Sequence, residues 1–214
     1  MKKFRALWLV MVIAGSWSLL QSAGAGGEVT KFHETGIVVD IQTFYDAAKV
    51  ESAGYRSLRG NVGALALVAK SGVYAFLETP GNSDHLQGIA PGTAVDLKGR
   101  LLVNGALLHI DDLTAVKKAP GIDLDAYRSA AGEEVSLTGY NLCQCGLNVG
   151  ELPHSCQLGH LHHLQASDGK IYHYLQYGEA QKTYLGIDSH FRQVGVKGRV
   201  LPGQYLLVAS VTPR

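Results

Sequence analysis

Past its first thirty residues the chain alternates short β-rich apolar runs with glycine-marked turns, and the pattern is written twice. Thr35 to Ile41 (TGIVVDI) and Glu134 to Leu142 (EVSLTGYNL) each read as a first strand. Gly63-Ala-Leu-Ala-Leu-Val, a Ser71-Gly72 turn and Val73-Tyr-Ala-Phe-Leu read as a hairpin. The same reading applies to Gly159-His-Leu-His-His-Leu, an Asp168-Gly169 turn and Ile171-Tyr-His-Tyr-Leu. Each half closes on a further hairpin, Val95–Leu108 (VDLKGRLLVNGALL) and Val194–Leu207 (VGVKGRVLPGQYLL), which align without a gap at an offset of 99 residues. Between the two hairpins of each half lies a less regular stretch, Gly81–Ala90 and Gly178–Arg192, that suits a short helix or a loop.

Strand, long connection, hairpin, irregular segment, hairpin: this order, with Lys-Gly-Arg in the fourth strand of each half, resembles the small Greek-key barrels of the OB type. The resemblance implies an all-β fold of two tandem OB-like five-stranded Greek-key barrels after a signal peptide. It identifies an architecture and leaves the activity to be argued from the site. The predicted domains are a signal peptide at 1–25, a first barrel at 26–118, a linker at 119–132 with a short helix starting from Asp123 or Asp125, and a second barrel at 133–214.

The N-terminus changes the cellular picture. Lys2, Lys3 and Arg5 precede an apolar run from Ala6 to Ala14 that continues more weakly to Leu20, and Ala23-Gly24-Ala25 follows. Basic start, apolar middle and Ala-x-Ala predict a secretory signal cleaved after Ala25, and hence a periplasmic or secreted protein with no membrane span after cleavage. Of 19 Lys and Arg against 18 Asp and Glu, cleavage leaves 16 against 18, a formal charge of −2. A near-neutral chain lacks the basic footprint that nucleic-acid binding requires, so nucleic acid is not an expected partner.

The chemistry concentrates in the second half. All three cysteines fall between 143 and 156, and five of the nine histidines (His154, His160, His162, His163 and His173) lie between 154 and 173. The first half has no cysteine, and where it reads Gly63-Ala64-Leu65-Ala66-Leu67 the second reads Gly159-His160-Leu161-His162-His163. The scaffold therefore does not itself demand histidine there. In an extended chain Cys143 and Cys145 face one side, as do His160 and His162. A two-residue turn at Asp168-Gly169 would also put His173 on the face of His160 and His162. The expected metal ligands are Cys143, Cys145, Cys156, His160 and His162, with His154, His163 and His173 as substitutes or as groups that orient a ligand.

Thiolate with imidazole suits a transition metal, copper or zinc. An iron–sulfur cluster or a non-covalent haem ranks behind these. The expected roles are metal carriage, sensing or electron transfer, with an envelope protein as a further partner. The competing reading is a metal-free envelope interaction module stapled by one disulfide, Cys145–Cys156 or Cys143–Cys156. An enzyme activating water on an open metal site is a third reading, ranked below both. The acid–histidine neighbours Asp188 and His190 read as a surface pair, and Arg56 with Arg59 as a solvated loop.

Overall fold

The computed structural model describes residues 29–45, 65–118, 121–147, 162–176, 184–185 and 189–214. The predicted signal peptide, Arg56, Arg59, His154, Cys156 and His160 lie outside these residues. Among the described residues no helix is long and apolar enough to cross a membrane.

The first half comprises β1 (Thr30–Asp40), α1 (Ile41–Phe44), β2 (Leu65–Ala69), β3 (Gly72–Phe76), α2 (Pro80–Leu86), β4 (Ala94–Leu102) and β5 (Leu107–Ala115). A short helix, α3 (Leu124–Arg128), follows, with Asp123 capping it through a 3.0 Å bond from Ala126 N. The second half comprises β6 (Glu133–Cys143), β7 (His162–Ala166), β8 (Ile171–Gln176), β9 (Arg192–Leu201) and β10 (Tyr205–Pro213). Each half closes into a five-stranded barrel. The orders are β1-β2-β3-β5-β4 and, equivalently, β6-β7-β8-β10-β9. The third and fifth strands of each barrel run parallel and every other pair is antiparallel. The all-β, two-barrel architecture expected from the strand pattern is the architecture found.

Closure depends on the long first strand of each barrel. Gly36–Asp40 of β1 pairs with β2, while Thr30–Ile37 pairs with β4. In the second barrel Gly139–Cys143 of β6 pairs with β7, and Glu133–Asn141 pairs with β9. The repeated Lys-Gly-Arg has a steric cause. In both closing hairpins a bulge shifts the register beside the central glycine. A Cβ on Gly99 would collide with the carbonyl oxygen of His109, and one on Gly198 with that of Leu207. Only glycine lets the two backbones approach so closely.

Between β3 and β4, α2 starts at Thr79, whose side chain accepts from Asn82 N at 3.1 Å, with Pro80 in the first turn. Asn82 is fully buried. Its amide donates to Leu77 O (2.7 Å) and Leu108 O (3.0 Å), and its oxygen accepts from Ile110 N (2.9 Å), tying the helix to β5. The apolar centre of the first barrel includes Phe32, Leu67, Phe76, Leu97 and Ile110, and that of the second includes Leu164, Tyr172, Leu185, Val196 and Leu206.

A third apolar cluster joins the barrels. It brings Val73, Leu77, Val103 and Leu107 of the first against Leu142, Ile171, Leu175 and Tyr205 of the second. Polar bonds cross the same boundary. Tyr45 donates its hydroxyl to Pro202 O at 2.9 Å. Gln144 accepts from Glu78 N at 2.9 Å and donates to Glu78 O at 2.7 Å. His173 Nε2 lies 2.9 Å from Ala106 O.

Candidate metal centre

Strand β6 ends at Cys143, and Cys143 stands directly opposite His162, the first residue of β7. Cross-strand partners share a face of the sheet, so the thiol and the imidazole project together. The equivalent pair in the first barrel is Asp40 opposite Leu65, at the same end of β1 and β2. The cysteine–histidine pair is thus an elaboration of one copy at a position the scaffold fills differently in the other.

A third group arrives from the segment before β9. His190 brings its imidazole to this corner, and the donor atoms of Cys143, His162 and His190 all lie within 4.8 Å of one another. The two histidine Nε2 atoms are 2.7 Å apart. Cys143 is a fully buried thiol, His162 is 8 % exposed and His190 is half-buried. Three soft or borderline donors, converging from three separate segments in a largely dry corner, can hold a metal ion.

The surroundings fix two of the three donors. His162 Nδ1 lies 2.7 Å from Leu185 O. A carbonyl can only accept, so Nδ1 carries the proton and the Nε2 lone pair is left facing His190. Asn141, two residues before Cys143, brackets His190 from both sides. Its side-chain amide donates to Ser189 O at 3.0 Å, and its backbone oxygen accepts from Phe191 N at 2.8 Å. The backbone of Phe191 is left-handed (φ 58°), which turns the chain sharply between His190 and β9. The Phe191 ring lies over Gly146, where a Cβ would come within 3.1 Å of it.

Comparison with protein-family models, with curated proteins and with solved structures finds no match for this chain. The site must therefore be read from its own geometry.

The sequence-predicted ligands fare differently. Cys143 and His162 lie in the cluster. The Cys-x-Cys geometry does not hold as expected, because extended backbone stops at Cys143 and Gln144–Gly146 forms a 3-10 turn. The argument from i, i+2 alternation therefore does not apply to Cys145, whose side chain is outside the described residues. Cys156 and His160 are outside them altogether.

The expected shared face for His162 and His173 is wrong. The β7–β8 loop has three residues, Ser167, Asp168 and Gly169, rather than two, and Gly169 takes a left-handed φ of 83°. His163, not Leu164, therefore stands opposite His173. One residue of slip moves a side chain to the other face.

His163 and His173 consequently form a pair of their own, away from the His162 face, with their Nδ1 atoms 2.9 Å apart. His173 Nε2–H donates to Ala106 O, so His173 Nδ1 accepts from His163 Nδ1–H. Burial holds both imidazoles neutral. It pushes His173 down to about 4 and His163 well below the ordinary 6.5.

His190 is the residue that sequence reasoning set aside. The internal repeat carries a signal for it: at the 99-residue offset its counterpart is Pro91, so this histidine too is foreign to the sister copy.

Proposed function

We propose that this is an exported protein whose second barrel binds a single transition-metal ion, copper or zinc, through Cys143, His162 and His190, for metal carriage. One observation carries the reading: three donor atoms from three segments converge within 4.8 Å of one another. The Leu185 carbonyl and the Asn141 bracket support it, since both orient donors. One thiolate with two imidazoles favours copper or zinc over hard cations, which take oxygen donors. The half-buried His190 gives the ion a route in and out, which suits carriage better than a sealed structural site. Export rests on the basic, apolar and Ala-x-Ala segments of the N-terminus.

The test is metal analysis of the full chain purified from its native compartment, together with cobalt(II) substitution. The expected result is about one equivalent of bound metal and a near-ultraviolet thiolate-to-cobalt charge-transfer band. Cys143→Ser should abolish the band, and His190→Ala should weaken binding by one to two orders of magnitude. Wild-type protein that takes up neither copper, zinc nor cobalt, or a band that survives in Cys143→Ser, overturns the reading.

A further inference from the structure

The residue that follows each paired ligand binds the first barrel. Cys143 is followed by Gln144, whose side-chain amide meets the backbone of Glu78 at two points, 2.9 Å and 2.7 Å. His162 is followed by His163, which joins His173 and, through it, Ala106 O. Gln144 completes both the N–H and the C=O of Glu78, as a neighbouring strand would. Glu78 is itself 2 % exposed and Leu77, beside it, 1 % and bonded to Leu108 O, so the anchor is packed into the first barrel. The end of the β6–β7 ladder is thus fixed by two bridges placed directly behind the two ligands it presents.

We propose that the first barrel is the positioning body of the metal centre: Gln144 and the His163–His173 pair clamp the β6–β7 end to Glu78 and Ala106, so metal binding and barrel docking reinforce each other. The inference rests on the metal reading above and adds to it a role for residues that touch no metal. Gln144 is a positioning residue. It holds the backbone of Cys143 where the thiol meets His162 and His190, so losing the clamp costs the ordering of that backbone each time a metal binds. Linkage makes the effect reciprocal, and bound metal must tighten the clamp by the same factor.

Two measurements on the full chain test this. In the first, zinc affinity is measured by chelator competition for wild type, Gln144→Ala, Gln144→Glu and Tyr45→Phe. Gln144→Ala should bind zinc about tenfold more weakly and shift the cobalt charge-transfer band. Gln144→Glu keeps the acceptor for Glu78 N–H but sets a carboxylate oxygen against Glu78 O in place of the donor, so it should not restore the affinity, whereas a side chain that merely filled space would be replaced by Glu without loss. Tyr45→Phe removes a cross-barrel bond made by neither Gln144 nor the histidine pair and should leave zinc affinity unchanged.

In the second, hydrogen exchange of the Glu78 amide is followed in wild type with and without zinc. Zinc should slow it about tenfold, whether or not the variants fold. Zinc binding by wild type with equal affinity in Gln144→Ala, or with Glu78 exchange indifferent to zinc, overturns the coupling and leaves the metal site standing. An equal loss in Tyr45→Phe also overturns it, since any loosening of the interface would then suffice. No zinc binding by wild type overturns the metal reading and the coupling with it.

Discussion

Mild acid should destabilise this protein through its buried imidazoles, His173 above all. His173 is 5 % exposed and donates Nε2–H to Ala106 O across the barrel interface. The groups facing it are His163 Nδ1, from which it accepts, and the Tyr205 ring 5.3 Å away, whose hydroxyl is itself held neutral by burial. Protonation of His173 would need a proton on Nδ1, where His163 already points one. The folded-state pKa is pushed down to about 4, against an ordinary 6.5 in the unfolded chain.

Between those two values the unfolded chain binds the extra proton and the folded chain does not, so stability falls as pH drops from about 6.5 to about 4 and then levels off. The gap corresponds to about 3 kcal/mol for this one group. His163 is shifted in the same direction and adds to the loss. Set against a typical domain stability of about 5–15 kcal/mol, the effect is large. Urea unfolding of the metal-free chain at pH 7, 5.5 and 4 measures it. The midpoint should fall at each step, and His173→Gln should flatten the pH dependence while lowering stability at pH 7. A midpoint that stays constant from pH 7 to 4, or one with the same slope in His173→Gln, would refute the reasoning.

Other consequences concern the bracket and the repeated glycine. Asn141→Ala removes the side-chain half of the hold on the Ser189–Phe191 turn and should weaken zinc binding about tenfold or more by chelator competition, with Cys143 and His162 intact. Gly99→Ala and Gly198→Ala each drive a methyl group into a backbone carbonyl that no side-chain rotation can clear. Each should cost about 2–3 kcal/mol in urea unfolding, with the two losses of similar size because the two bulges are equivalent.

Architecture was legible in the chain because strand pattern, turn residues and the internal repeat pointed the same way. The offset of 99 residues marked two matching hairpins, and the bulge at Gly99 and Gly198 explains why Lys-Gly-Arg occurs in both. The candidate site was legible only in part. Comparing the copies drew attention to the histidine-rich strand, and His162 sits in the cluster. The placement of His173 failed on one residue of loop length, since sequence alone does not say whether Ser167 belongs to the turn or to the strand. Cys-x-Cys was read as extended chain although β6 gives way to a 3-10 turn at Gln144. His190 stood apart in an irregular segment with no periodicity, and only folding brings it to Cys143.

The way the barrels meet has one more implication. OB-type barrels commonly receive their ligands on the middle strands and on the turn between the last two. Here the first barrel's turn, Val103–Ala106, lies under His173 of β8, while Pro202 and Gly203 of the second barrel's turn lie against Tyr45 and Val73. The closing turn of each copy is therefore taken up by the other copy. Next to this contact, where Gln144 of the second copy bonds Glu78 of the first, a half-covered imidazole and an exposed aromatic ring stand side by side.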